Sequence, residues 1–223
     1  INITSSRNIQ ANALLEALDG DSTTVNTITL NAGRNLIQNG TSKIESDLID
    51  IDTGKSLSQN DNGTISGNQL EINTGESLIQ NVNGLISGNQ VNIATGEDMI
   101  QKGSGKISGN QITMNIGEDM KQNQISSIMA DKNIDIDTVG NIVQNDEAKI
   151  DAEDRIEIDV YKNITQNDSS LMEAATIDIN QNSDTGDNVI QGENSQIIAG
   201  QLNIDTANSQ ILTGDNEIDK FNS

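Results

Sequence analysis

The sequence predicts an all-β fold: a right-handed parallel β-helix (β-solenoid) of about nine coils, with 21–22 residues in each coil. Three observations predict it. An internal repeat has a fixed length, apolar residues alternate with polar ones in short bursts, and aromatic residues make up only 1% of the chain. A thin core of Ile, Leu, Val and Met needs no large rings, whereas a rounded globular core normally uses them. The right hand follows from the general preference of parallel crossover connections.

The repeat is clearest in three consecutive segments of 21 residues. They read DTGKSLSQNDNGTISGNQLEI (52–72), NTGESLIQNVNGLISGNQVNI (73–93) and ATGEDMIQKGSGKISGNQITM (94–114). A period near 20 residues is typical of solenoids, in which one unit cannot bury its apolar face without its neighbours. Low hydrophobicity with a net charge of −22 is otherwise typical of disorder, but the strict spacing of the apolar residues argues against it.

A glutamine marks each repeat. The series begins at Gln10, and its later members recur mostly every 21 or 22 residues. Each glutamine shares its alternation parity with the aliphatic residue two positions earlier, so we expect its side chain to point into the coil or into a corner. Amides stacked ~4.8 Å apart can bond along the rod, and a repeated ligand-binding groove is the alternative. The predicted structural ladder is Gln38, Gln59, Gln80, Gln101, Gln122, Gln144, Gln166 and Gln191.

Apolar residues form columns at fixed distances from each glutamine. One column lies two residues before it, and an apolar-x-apolar doublet such as Leu70 and Ile72 closes each coil. Period-two alternation of this kind indicates about three short strands in each coil. The column six residues after the glutamine is the predicted core file: Ile44, Ile65, Ile86, Ile107, Ile128, Ile150, Met172 and Ile197.

Corners rich in Asn, Gly and Asp separate the predicted strands. Thr53-Gly54, Asn62-Gly63 and Ser66-Gly67-Asn68 are expected to supply positive φ angles. The asparagine that follows most of the glutamines, as at Asn60 and Asn81, is expected to adopt a left-handed conformation as well.

The chain is predicted to form a single β-solenoid domain over residues 1–223. Residues 28–204 are the regular repeats. Residues 11–27 are an irregular excursion, in which Ala11–Leu18 has the composition of a short helix. The polar segment Asn180–Asn188 is a loop that lengthens one coil. Residues 205–223 are a degenerate final coil or cap, with Phe221 lying over the exposed end.

Composition excludes several classes of function. The chain has no Cys and no His, which rules out disulfides, thiolate or imidazole metal sites, and Ser-His or Cys-His catalysis. A pI of about 4.1 predicts that it repels nucleic acid, and no apolar run approaches the roughly 20 residues needed for membrane insertion. With few aromatics and only three arginines, it lacks a sugar-cleaving face, so we expect no enzyme activity. We expect the chain to be a piece of a longer polypeptide or a matured subunit.

One acidic column is a candidate for metal binding. Asp135, Glu157 and Asp178 are predicted to stack as three like charges on the outward face of the closing strand. Neighbours ~4.8 Å apart in water repel by roughly 0.9 kcal/mol before salt screening. A solvated acidic face is one interpretation, and bridging by calcium is the other. No calcium-loop motif accompanies the column, so the sequence predicts no cofactor.

The repeat phrase resembles the haemagglutinin repeats of the filamentous haemagglutinin family. Gly54-Leu57-Gln59-Gly63-Ile65-Gly67-Ile72 carries the pattern, and Gly75-Leu78-Gln80-Gly84-Ile86-Gly88-Ile93 repeats it. The resemblance covers roughly residues 28–204. It implies a parallel β-helix on a bacterial surface, in an exoprotein moved by two-partner secretion, and it supplies no catalytic residues. The secretion domain of that family is not recognisable here.

Two functions remain open from sequence. One is a non-enzymatic adhesin or rigid stalk segment of a secreted exoprotein, whose partners are flanking repeats of a longer chain and a host or neighbouring-cell surface. The other is an extracellular filament subunit that stacks end to end on copies of itself through open solenoid edges. Both place the chain outside the cell or on the bacterial surface.

Overall fold

The structure is an all-β solenoid in which parallel strands stack in about nine coils, so the predicted fold class is confirmed. The computed structural model describes residues 1–18, 25–181, 188–192, 194–206 and 210–223. Within these ranges two parallel sheets run side by side along the stack, one of ten strands and one of 13. Most coils contribute one strand to each sheet, so coils that are consecutive in sequence are also neighbours in space.

The ten-stranded sheet is built from three-residue strands, and we number all strands in chain order. Each strand from β2 to β20 ends at or beside the marker glutamine, and its first and third residues face inward in the regular coils. The strands are β2 (Ile9–Ala11), β5 (Leu36–Gln38), β7 (Leu57–Gln59), β9 (Leu78–Gln80), β11 (Met99–Gln101), β13 (Met120–Gln122), β15 (Ile142–Gln144), β18 (Ile164–Gln166), β20 (Val189–Gln191) and β22 (Gln210–Leu212).

The second sheet is built mostly from strands of ten to 12 residues. It consists of β1 (Asn2–Ser5), β3 (Leu14–Ala17), β4 (Thr27–Ala32), β6 (Lys43–Thr53), β8 (Thr64–Thr74), β10 (Leu85–Thr95), β12 (Lys106–Ile116), β14 (Ser127–Thr138), β16 (Lys149–Ala152), β17 (Arg155–Val160), β19 (Leu171–Gln181), β21 (Gln196–Asp205) and β23 (Glu217–Asn222).

Most regular coils contain two strands, not the three expected, and only the coil of β15, β16 and β17 has three within the described residues. The second and third expected strands form one continuous strand such as β8, which passes through Ser66-Gly67-Asn68 and leaves only the asparagine unpaired with β10. The change from 21 to 22 residues per coil is absorbed at the same place. Between β12 and β14, Gly109 pairs with Ala130 and Gln111 pairs with Asn133. The extra residue forms a bulge, which bends a strand without ending its sheet.

The predicted core file runs along the longer sheet as one vertical column. From Ile44 to Ile197, each member pairs in register with the member of the next coil. All eight side chains are at most 1% exposed. The aliphatic residues of the short strands and the closing doublets are buried beside them, so the apolar files of both sheets form one continuous core.

Positive φ angles occur two residues after the glutamine. The prediction of positive φ at Gly54, Gly63 and Gly67 was wrong, and so was the prediction of a left-handed asparagine directly after the glutamine. In the coils from Gln38 to Gln166, a single left-handed residue turns the chain out of each short strand. These residues have φ between 57° and 69°: Gly40, Asp61, Val82, Gly103, Gln124, Asp146 and Asp168.

Glycine at the Thr-Gly corner meets a different requirement, which is close contact between coils. A Cβ atom added to Gly75 would lie 2.5 Å from the backbone oxygen of Gly54, and one added to Gly96 would lie 2.3 Å from the oxygen of Gly75. Such distances are far below ordinary van der Waals contact. The corner therefore stacks backbone on backbone, and glycine is needed there because it has no side chain.

The first coil differs from its prediction. The short helix expected over Ala11–Leu18 is wrong, because Leu14–Ala17 is strand β3, paired with β6. The open edge of β6 offers parallel hydrogen bonds, and Leu15 packs against the core in the column of Ile44. Gln10 is also out of the predicted column, since Ala11 pairs with Gln38. Residues 19–24 of the expected excursion lie outside the described residues.

The last coil continues both sheets. β22 pairs with β20, and β23 pairs with β21. Phe221 lies opposite Leu202, in the column of a buried doublet, and is 46% exposed. Of the expected loop Asn180–Asn188, residues 182–187 lie outside the described residues, while Asn180 and Gln181 complete β19.

Val82 is expected to strain its coil, because a β-branched residue in the left-handed region costs roughly 1–2 kcal/mol. Asparagine tolerates this conformation. We therefore expect Val82→Asn to raise the free energy of unfolding by about 1 kcal/mol, measured by urea denaturation.

The matched reverse change is Gly40→Val at the equivalent position. No atom lies within 4 Å of the Cβ that it adds, so only backbone strain is introduced. We expect a loss of about 1 kcal/mol or more. Equal stability of both variants and the parent chain would contradict the strain argument.

Candidate functional surfaces

The marker glutamines form a hydrogen-bonded column inside the solenoid. From Gln59 to Gln166, each Nε2 donates to the Oε1 of the glutamine one coil earlier, beginning at Gln38, at 2.7–3.0 Å. These side chains are at most 2% exposed. The second amide hydrogen is also used: Gln59 Nε2 lies 3.0 Å from the oxygen of Leu85 and 3.3 Å from that of Gly63. The buried amides are therefore satisfied by one another and by the backbone.

Small residues make room for this column. The position four residues after each glutamine faces the amide of the previous coil, and a Cβ on Gly63 would lie 3.1 Å from Gln38 Cβ. Only Gly, Ser or Ala occupies the position: Ser42, Gly63, Gly84, Gly105, Ser126, Ala148, Ser170 and Ser195. These small residues could have been found from the sequence, because the position four residues after each glutamine carries Gly, Ser or Ala in every repeat.

The column changes its pairing at the last glutamine. Gln191 Nε2 donates to Asn216 Oδ1 at 2.7 Å, and Asn216 Nδ2 donates back to Gln191 Oε1 at 2.7 Å. Asn216 Oδ1 also accepts from the backbone N–H of Ile197 at 2.8 Å. Gln191 thus faces the final coil, and Asn216 closes the amide column in place of a further glutamine.

A second amide column lies at the surface, at the residue after most of the glutamines, and Lys102 interrupts it. Asn81 donates to Asn60, and Asn60 donates to Asn39, both at 3.0 Å. The column continues in the later coils from Asn123 to Asn145 and Asn167, at 2.9 Å. These bonds link the corners of adjacent coils beside the buried column.

The acidic column proposed for metal binding is partly neutralised within the chain. Asp135 pairs in register with Glu157, and Glu157 pairs with Asp178. Arg155 donates from Nε to Asp178 at 2.6 Å, and its NH1 lies 2.8 Å from Glu157. In the described part of the chain, no three acidic side chains are grouped so as to hold a metal ion.

Cations elsewhere bridge coils in the same way. Lys121 contacts Asp119 at 2.9 Å and Asp98, one coil earlier, at 3.6 Å. Lys149 contacts Asp151 at 2.9 Å and Glu173, one coil later, at 3.3 Å. Exposed pairs of this kind contribute only about 0–1 kcal/mol each to the free energy of unfolding. They therefore reduce charge repulsion at the surface but are not the main source of stability.

Of the clefts on the outward face of the longer sheet, two have matching linings. The first has a volume of about 360 Å³ and the second about 300 Å³. Both are formed by the same two outward columns at different heights of the rod. The first is lined mainly by Thr27, Leu48, Asp50, Gln69, Glu71 and Asn92. The second is lined mainly by Gln111, Thr113, Asn133, Asp135, Arg155 and Glu157.

One carboxylate in each cleft is destabilised as an anion. Partial burial raises the pKa of Asp50, and the charges of Asp52 and Glu71 raise it further. Burial also raises the pKa of Asp135, together with the charges of Asp159 and Asp137, while Arg155 opposes the shift. The clefts therefore concentrate negative charge in partly desolvated positions.

No protein-family model matches the chain, and neither a characterised protein nor a solved structure is significantly similar to it. Among the described residues there is no helix of the length and apolarity required to cross a bilayer. Any assignment of function therefore depends on the features described above.

Gln101→Leu is expected to lower the free energy of unfolding by about 3 kcal/mol, because it removes the donor to Gln80 Oε1 and the acceptor of Gln122 Nε2, both of them buried. The measurement is urea denaturation followed by circular dichroism. The matched control is Gln90→Leu on the exposed face, where we expect a change within about 0.5 kcal/mol. Equal losses of unfolding free energy in the two variants would show that the buried amide bonds contribute no more to stability than exposed ones.

Asp50→Asn is expected to stabilise the chain by about 0.5 kcal/mol near pH 7. A raised folded pKa means that the folded state binds the proton more tightly, so the stability from protonation is present at acid pH and is lost as the pH rises through the folded pKa. Once Asp50 is protonated in the parent chain, the stabilisation by Asp50→Asn should therefore disappear, at about pH 3.

The exposed change Asp131→Asn serves as the control, with an expected effect near zero at both pH values. The measurement is the urea midpoint at each pH. A gain from Asp50→Asn that persists in acid would contradict the assignment of the effect to this carboxylate.

Proposed function

We propose that the chain is a non-enzymatic structural segment of a secreted bacterial surface exoprotein, acting as a rigid stalk or an adhesin. The observation that carries the proposal is the unbroken buried amide column from Gln38 to Gln166, which runs beside the core file. A rod held together along its axis in this way resists bending at any single coil. Nine coils at ~4.8 Å give a length of roughly 40 Å.

The repeat pattern supports placement at a bacterial surface. The phrase that resembles the haemagglutinin repeats coincides with the regular coils, with its Gly at the backbone contacts, its Gln in the buried column and its Ile in the core file. Each element of the pattern thus has a mechanical role in stacking. Such a segment holds an active region away from the cell or presents its long faces to another surface.

A second candidate is a filament subunit that stacks on copies of itself. Open strand edges favour it: Ile1 and Ile3 lie in inward columns of the first coil and are 50% and 36% exposed. At the other end, Phe221 is half-exposed. The Gln191–Asn216 pair weighs against it, because it closes the amide column that a following coil would otherwise extend. We therefore rank the stalk first.

One experiment separates the two candidates. We expect the purified chain to form separate rods of roughly 40 Å in negative-stain images, and the natural protein in a surface fraction to have a denatured mass well above 23.8 kDa. Unbranched fibres with a ~4.8 Å meridional repeat would favour the filament subunit instead. A natural protein of 23.8 kDa that is absent from the surface fraction would contradict the stalk.

A further inference from the structure

The second cleft shows how this surface binds a guanidinium group. Arg155 contacts Glu157, two residues later on its own strand, and Asp178, which pairs with Glu157 in the next coil. The two carboxylates are one coil apart and lie on the same outward column. A planar guanidinium has donors in a fixed fork, so it can bridge two such carboxylates at once.

The same three positions recur in the first cleft, but without the cation. Leu48 corresponds to Arg155, because it lies two residues before Asp50, and Asp50 pairs in register with Glu71 of the next coil. Leucine there leaves both carboxylates without an intramolecular guanidinium.

Neither carboxylate of this pair has a cationic partner within the described ranges. Glu71 accepts one hydrogen bond, from Asn92 Nδ2 at 3.0 Å, and Asp50 has no hydrogen-bond or ion-pair partner there. The lysines of the same coil are engaged elsewhere: Lys43 binds Glu45, and Lys55 binds Glu76.

We propose that the first cleft is a binding site for an arginine side chain presented by a partner protein. The guanidinium bridges Asp50 and Glu71, as Arg155 bridges Glu157 and Asp178 in the second cleft. Leu48, which is half-buried and lines the cleft, provides an apolar surface for the aliphatic stem of that arginine. The site is independent of the proposed role as a stalk.

The size and charge of the surroundings agree with this occupant. The cleft volume of about 360 Å³ accommodates a long side chain together with part of its backbone. The net charge of −22 attracts a basic segment from a distance, and the stacked carboxylates then select its guanidinium. Lysine can bridge such a pair as well, as Lys149 does with Asp151 and Glu173, but its contacts of 2.9 and 3.3 Å are longer than the 2.8 and 2.6 Å of Arg155. Arginine fits better because its fork directs separate N–H groups at the two carboxylates.

The test uses an end-blocked Gly-Arg-Gly peptide as the probe. We expect saturable shifts in the backbone amide signals of Leu48, Asp50, Gln69 and Glu71 in two-dimensional NMR spectra. The same peptide with citrulline, which has the shape of arginine but no charge, should cause none. Shifts of equal size from citrulline, or arginine shifts spread evenly over the acidic faces of the rod, would overturn the proposal.

Paired variants separate the site from the general negative charge. Asp50→Asn with Glu71→Gln should weaken arginine binding about tenfold. The control, Glu97→Gln with Glu118→Gln, removes two charges from an exposed corner and should leave affinity within about twofold. Equal weakening by both pairs would overturn the proposal.

A third variant fills the cleft from within. Leu48→Arg places a guanidinium at the position equivalent to Arg155, so it should abolish binding of the arginine peptide and raise the melting temperature. This variant keeps both carboxylates and lowers the net negative charge of the site by one unit, against two units in the Asp50→Asn with Glu71→Gln pair. A loss of binding larger than that of the pair is therefore expected only if the new guanidinium occupies the site. Unchanged peptide affinity in a folded Leu48→Arg variant would overturn the proposal.

Discussion

Parallel register is the constraint on which the rest of this structure depends. Because each coil lies directly over the previous one, a residue contacts its counterpart 21 or 22 positions away, and every inward position must carry a residue that stacks on its own kind. The buried glutamines show the constraint most strictly. An amide stacks on an amide because each donates and accepts, whereas an isolated buried amide would leave several groups unsatisfied.

This arrangement explains how a chain with so little apolar content folds. Apolar residues are only 33% of the sequence, yet most of the Ile, Leu and Met in the regular coils are buried. The core is thin, and the polar column of Gln38 to Gln166 occupies volume that aromatic side chains fill in other folds. Glycine at corners such as Gly75 then lets the backbones approach closely enough for these columns to bond.

Features that repeat were predictable from sequence, and features set by a single coil were not. Ile65, Ile86 and Ile107 recur in identical phrases, so their shared column followed from the period. The first coil has no such support: the open edge of β6 and the packing of Leu15, not helix propensity, decide its conformation. The left-handed residue was missed because its side chain varies from Gly40 to Val82, so composition gives no signal. The clefts depend on which side chains occupy the outward columns at each height, and these vary from coil to coil.

Outward columns are free of the stacking constraint, and any specific recognition must therefore reside there. The column from Asp50 to Asp178 changes from acidic to neutral at Asn92 and Thr113 and back to acidic at Asp135, while the buried column of the other sheet keeps glutamine from Gln38 to Gln191. Substituting one outward residue alters the surface without disturbing the core, as the contrast between Leu48 and Arg155 shows. A solenoid of this kind thus separates two tasks: the inward columns fix the rod, and the height of each outward residue along it fixes where a partner of given charge can bind.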